Sequence, residues 1–290
     1  MEINRTKINN KITSMFEKLG IIDILSNNFV IGGGFPRFLN YLIKQNENND
    51  FYLNKLFNFL KYSDIDFYCD SEKTFEDYMN KIWIDDENKF LSPFCVNFRS
   101  HYDFINDQNI GINKNNIFYD YSKVATLNFQ FVNKFYFRSI EKLFESFDFE
   151  NCKYCIALDH DGLYLYKTKD ADFYNEKRTL KINHNNSPLL GHRIIKYLSS
   201  KDLDEVSECS REVIKNWLFK LKSEEFGDSF KPAFDSCKNL SYLTKLDKLV
   251  NFSKEELILF IGKVNVSYSY AQGYGVMVRE EIDWALEKLK

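Results

Sequence analysis

Apolar residues recur at helical spacing from the start of the chain. Ile8, Ile12, Met15, Phe16 and Leu19 form one stripe, which predicts an amphipathic helix ended by Gly20. The next apolar run, Phe29-Val30-Ile31, is short and stops at Gly32-Gly33-Gly34. It resumes with Phe38, Leu39, Leu42 and Ile43 on one helical face. That pattern predicts a strand, a glycine turn and a helix over residues 36–43, with Pro36 in the first turn, where its missing N–H costs nothing. Residues 51–62 are aromatic and Lys-rich and read as a short extra helix. Residues 65–69 read as a strand, Phe75, Tyr78, Met79 and Ile82 as a helix, and residues 94–98 and 125–132 as strands. A helix over 139–147 leads into a strand that ends at the Asp161-Gly162 turn, and residues 163–166 form the second strand of a hairpin.

After Ser200 the pattern turns helical. Val213, Ile214, Trp217, Leu218 and Leu221 give one stripe, and Leu240, Leu243, Leu246 and Leu249 another. Leu257, Ile258 and Ile261 follow, and a last helix covers 280–289. A Tyr- and Gly-rich stretch, 267–275, reads as a loop whose Tyr268, Tyr270 and Tyr274 offer rings for stacking.

The glycine turn and the strand after it carry the chemistry. A strand, a glycine turn and a helix N-terminus make an anion cradle, because backbone N–H groups point outward and no side chain blocks a phosphate. Arg37, in the first helical turn, adds a charge-assisted contact. Period-2 alternation places Asp64 and Asp66 on the same strand face. Two convergent hard oxygen ligands beside a phosphate cradle are what Mg²⁺-dependent phosphoryl chemistry requires.

Composition narrows the partners. With 39 Lys and Arg against 42 Asp and Glu, the net charge of −3 gives no global field toward nucleic acid, so an RNA partner needs a local basic patch. Nothing at the start resembles a signal peptide, and no stretch is long and apolar enough to span a bilayer. Of the six cysteines only Cys152 and Cys155 are close, and no second Cys or His pair stands at zinc spacing. Reduced thiols, a cytoplasmic setting and no membrane partner are the expectation. His101, His160, His184 and His192 are scattered without metal-ligand spacing.

Gly33-Gly34-Phe35-Pro36-Arg37 and Asp64-Ile65-Asp66 together resemble the head domain of the polymerase-β nucleotidyltransferase superfamily. The likeness is to the tRNA CCA-adding and bacterial poly(A) polymerase branch, with its Gly-Gly-x-x-Arg-Asp turn and Asp-x-Asp strand. Phe38 stands where that branch has the Asp after the Arg. Asp148-Phe149 resembles part of a later segment that the family uses near the ribose and base, with Ser146 and Phe147 replacing its paired arginines. Asp172, Lys177, Arg178 and Leu180 trace a further motif. Residues 187–197 resemble the helix that joins head to neck, with Arg193 and Lys196 matching basic positions and Ser187 and Leu190 departing from it. Many relatives carry a third carboxylate on a later strand. Residues 127–131 offer only amides there, and Asp103 is a stand-in.

The resemblance covers residues 28–200 and implies an α+β fold: a nucleotidyltransferase-type mixed sheet flanked by helices, followed by an α-helical C-terminal part. It implies a head domain over 1–186 and a helical neck and C-terminal domain over 187–290. Asp64 and Asp66 would be the catalytic metal ligands for a Mg²⁺ pair. Gly33, Gly34, Arg37, Asp148, Arg193 and Lys196 would bind the nucleotide, Arg193 and Lys196 through a triphosphate or an RNA backbone. The expected activity is transfer of a nucleoside monophosphate from an NTP to an acceptor hydroxyl, an RNA 3′ end by nearest resemblance. The alternatives are a small-molecule or protein acceptor, or a nucleotide-binding module without turnover.

Overall fold

The computed structural model describes residues 1–45, 55–56, 59, 63–81, 89–91, 95–103, 124–132, 136–185, 190–199, 203–222 and 251–271. The chain divides into two compact units, Met1–Phe147 with Cys152–Lys169, and Asp148–Asn151 with Asp170–Lys290.

The first unit holds β1 (Ile3–Lys7), α1 (Asn10–Lys18), α2 (Ile21–Ser26), β2 (Phe29–Gly32), α3 (Gly34–Lys44), β3 (Asp64–Cys69) and α4 (Glu72–Lys81). It continues with β4 (Lys89–Leu91), β5 (Cys95–Asp103), β6 (Val124–Val132), α5 (Ile140–Ser146), β7 (Tyr154–Asp159) and β8 (Gly162–Thr168). All these strands join one eight-stranded sheet in the order β1-β8-β7-β2-β3-β6-β5-β4. The β3–β6 pair is parallel and the others are antiparallel, so the sheet is mixed, flanked by helices, and the fold is α+β.

Alternation decides which sheet face is covered. Ile65, Phe67 and Cys69 of β3 are fully buried, as are Ile31 of β2 and Ile156 of β7, and Phe131 of β6 is nearly so. Ile12 and Phe16 of α1 and Phe35, Leu39 and Leu42 of α3 complete that core. Burying each such side chain contributes about 1.5–3 kcal/mol relative to leaving it in water. Aromatic packing runs through it, with Phe67 stacked on Phe131 at 5.1 Å and Phe29 edge-on to Phe131 at 5.5 Å.

Several elements depart from the sequence expectation. α3 begins at Gly34, two residues before Pro36. Gly20, at φ 73°, does end α1, but the chain turns there directly into α2, which the periodicity did not announce. β1 and β4 were not anticipated, and β5 is longer than the expected 94–98 strand. In the expected 51–62 helix, Lys55, Leu56 and Phe59 are helical and the other residues lie outside the described set.

The second unit contains a two-stranded parallel sheet, β9 (Thr179–Leu180) with β10 (Glu205–Val206). Its helices are α6, α7 (Leu190–Ser199), α8 (Glu208–Lys222) and α9 (Lys254–Ala271), α6 starting at the join of the two units over Lys169–Glu176. Leu190, Ile194 and Leu198 of α7, Ile214 and Trp217 of α8, and Leu257, Ile258 and Ile261 of α9 are buried. The expected loop over 267–275 is corrected here. α9 runs through Gly262, Tyr268 and Tyr270 to Ala271, because the helical apolar spacing from Leu257 continues past that one glycine with no proline to stop it. Tyr274, the 240–249 stripe and the 280–289 helix fall outside the described residues.

Candidate functional site

In the first unit, β2 ends at Gly32 and α3 starts at Gly34, which leaves Gly33 to make the turn. Gly33 has φ 84° and ψ −128°, a conformation that side chains rarely adopt. Its N–H donates to the Tyr154 carbonyl at 3.1 Å, and its carbonyl accepts from the Arg37 N–H at 3.2 Å. Its N–H is therefore engaged, and its part in the cradle is conformational. The N–H groups of Gly34 and Phe35 open the helix and have no acceptor one turn back. A side chain at Gly34 would meet nothing within 4 Å, so the helix mouth is open. Phe35 is buried beneath it against Phe16, at 5.8 Å. Arg37 is half-buried in the first turn.

β3 runs antiparallel to β2 with Asp66 directly opposite Gly32. Asp64 is exposed and Asp66 half-buried, on the face away from the core residues Ile65 and Phe67. Asp66 Oδ2 stands 3.9 Å from where a Gly33 Cβ would be. Glycine turn, helix mouth and both carboxylates thus belong to one patch of one sheet. Hard carboxylate oxygens beside an uncovered helix N-terminus suit a Mg²⁺–phosphate group, with Asp64 and Asp66 as the protein ligands. Among the described residues no group of three His, Cys, Asp or Glu side chains gathers at one point. Asp103 ends β5 opposite Val124, four residues along from Arg99, which pairs with Asn128, the β6 neighbour of Asp64.

Two features of this patch were not legible beforehand. Gly32 is required by packing: a Cβ there would come within 2.9 Å of both Phe147 Cζ and Tyr68 Cε2. Phe38, at the position where the nucleotidyltransferases this chain resembles in sequence carry an Asp, stacks on Phe59 at 4.3 Å with the rings 9° from parallel, so its position is spent on packing.

The remaining predicted residues lie in the second unit. Asp148 and Arg193 form an ion pair with each other, the Asp148 side chain 12% exposed and that of Arg193 50% exposed. One turn further along α7, Tyr197 packs against Phe149 at 4.9 Å. Lys196 is exposed on the same helix, while Ile194, Ile195 and Leu198 face the interior. Asn151, fully buried, holds this segment in place: its amide donates to the Thr179 carbonyl at 3.0 Å and accepts from the Lys181 N–H at 2.9 Å.

By fold and site this is an α+β protein whose mixed sheet sets an Asp-x-Asp strand against a glycine turn that opens a helix. The chain belongs to the Gabija anti-defense 2 family, whose model matches residues 6–185. No curated protein matches it. Among solved structures it is similar to the Thermotoga maritima CCA-adding enzyme complexed with tRNA, at 13% identity and TM-score 0.46, over 92% of this chain and 56% of that one. A CCA-adding enzyme in complex with CTP matches at 13% identity and TM-score 0.47, over 92% and 55%. A tRNA-processing enzyme in an apo form matches at 12% identity and TM-score 0.41, over 99% and 80%. The chain thus spans a little over half the length of the first two. No helix among the described residues is long and apolar enough to cross a membrane.

Proposed function

We propose that this chain transfers a nucleoside monophosphate from an NTP to an acceptor hydroxyl. The hydroxyl oxygen bonds to the α-phosphorus, the bond to the β-phosphate bridge breaks, pyrophosphate leaves, and the hydroxyl proton passes to solvent. The observation that carries this reading is Asp66 lying against the Gly33 turn, with Asp64 on the same strand face. Held by these two carboxylates, a Mg²⁺ pair would polarise the α-phosphate and lower the pKa of the attacking hydroxyl. Gly33 supplies the turn, Gly34 an outward N–H, and Arg37 a cation for the β- and γ-phosphates. Asp148, Arg193 and Lys196 complete the nucleotide-binding set in this reading, and the setting is cytoplasmic. The domain division that goes with it is a head over 1–186 and a helical part over 187–290.

The acceptor proposed on the motifs is an RNA 3′ end. A second reading is favoured by membership of an anti-defense family, which points to an acceptor hydroxyl on a component of a defence system, protein or small molecule. The ion pair between Arg193 and Asp148 supports it too, because it leaves less unmatched positive charge for an RNA backbone. Incubating the protein with α-labelled NTPs and Mg²⁺, with total RNA in one arm, defence-system protein in a second and the small molecules of a cell extract in a third, separates these readings. Label in RNA supports the first and label in protein the second. Label transferred to a small molecule of the extract also supports the second, and label in none of the three, with NTP still bound, identifies a binding module without turnover. Asp64→Asn and Asp66→Asn each remove nearly all transfer if the assignment is right.

A further inference from the structure

We propose that Gln130 is the third oxygen ligand of the metal face, a neutral carboxamide where a carboxylate would be expected. This rests on the nucleotidyl-transfer reading and deepens it. β6 pairs in parallel with β3, setting Asn128 beside Asp64, Phe129 beside Ile65, Gln130 beside Asp66 and Phe131 beside Phe67. On the other side of β3, Asp66 stands opposite Gly32. Gly32, Asp66 and Gln130 therefore form one row across three neighbouring strands, each about 4.8 Å from the next. Phe129 and Phe131 are buried in the core at 6% and 1% exposure. Alternation then turns Gln130 to the opposite face, that of the carboxylates, where it is half-buried. No third acidic, His or Cys side chain joins Asp64 and Asp66 among the described residues.

An amide oxygen is a hard donor that Mg²⁺ and Mn²⁺ accept, but it adds no charge. A face with two carboxylates and an amide attracts a divalent ion less than one with three carboxylates. The NTP phosphates supply the missing charge, so metal and nucleotide bind this chain together, each strengthening the other. Gln130 thereby sets the order of events at the site: the ion is held well only once the triphosphate is in the cradle.

The test is calorimetric titration of Mn²⁺ into the full chain, with and without a non-hydrolysable NTP analogue. The proteins are wild type, Gln130→Glu, Gln130→Met and Asp66→Asn, with thermal unfolding as a check on folding. Wild type is expected to bind Mn²⁺ weakly alone and about tenfold or more tightly with the analogue. Gln130→Glu tightens binding in the absence of analogue by at least about tenfold, and Gln130→Met weakens binding in its presence by a similar factor. Equal Mn²⁺ affinity in wild type and Gln130→Met, or no gain in Gln130→Glu, overturns the role of Gln130 while loss of binding in Asp66→Asn keeps the underlying reading intact. Unchanged binding in Asp66→Asn, or none in wild type with the analogue present, overturns both.

Discussion

Three consecutive glycines in this chain have three different reasons to be glycine, and substitution separates them. Gly33 sits at φ 84°, so Gly33→Ala should destabilise by about 1–3 kcal/mol in urea unfolding through backbone strain alone. Gly32→Ala should cost a similar amount, about 1–3 kcal/mol, through overpacking against Phe147 and Tyr68. Gly34 has open space and no positive φ at the first position of α3, so Gly34→Ala should gain up to about 1 kcal/mol by lowering the entropy of the unfolded chain. If the helix mouth receives phosphate, that same variant loses NTP affinity in calorimetry despite its greater stability. The sequence marked the run as a cradle, but it could not say which glycine serves conformation and which serves packing, because the rings that crowd Gly32 come from residues far along the chain. Cysteines sort as sharply. Burial pushes the Cys69 thiol up to about 12 and raises that of Cys155 as well. Cys209 is exposed in the first turn of α8, and hydrogen bonds from Lys181 at 2.7 Å and with Ser207 lower its pKa. Its iodoacetamide reaction should therefore reach half-maximal rate at a pH below the value of about 8.5 typical of a free thiol. Lys181→Met should move that midpoint upward, and an unchanged pH profile would refute the assignment.

At the level of elements, what could be read in advance was what apolar periodicity announces. β2, β3, β6 and α1 came from their buried stripes, because one buried face imposes a pattern on the sequence. β1 has no such stripe: its residues beyond Ile3 are exposed. It is a strand because polar groups pair across to the hairpin, Arg5 with Asp159 at 2.7 Å and Lys7 with the Asp161 carbonyl at 2.7 Å. The segment Asp148–Asn151 was legible only through its family likeness, and that likeness presented Asp148 and Arg193 as separate ligands where the fold joins them. The pair joins a largely buried Asp148 to a half-exposed Arg193, so Arg193→Ala, which leaves that carboxylate without its cation, should cost about 1.5–3 kcal/mol in urea unfolding. Asn151→Ala acts through neutral groups. It strands a buried carbonyl and N–H on neighbouring segments and should cost about 2–3 kcal/mol by urea denaturation.

For the whole molecule, the acceptor turns on charge. The chain is acidic overall, and on α7 Arg193 is paired with Asp148 while Lys196 is exposed. If RNA is the acceptor, Lys196→Ala should reduce the slope of log affinity against log salt by about 0.7, the value for one single-strand phosphate contact. Parallel slopes, or no RNA binding at low salt, would shift the acceptor to protein or small molecule. The sheet order has a further consequence, for synthesis. Among the described residues β1 lies at one end of the sheet and its one partner strand is β8, with Lys7 opposite Tyr164. During synthesis β1 must wait for a partner that leaves the ribosome more than 150 residues later, roughly ten to thirty seconds at ordinary elongation rates. During that wait the nascent chain carries Arg5 and Lys7 on an unclaimed strand, and such charges discourage pairing with a neighbouring chain on the same message.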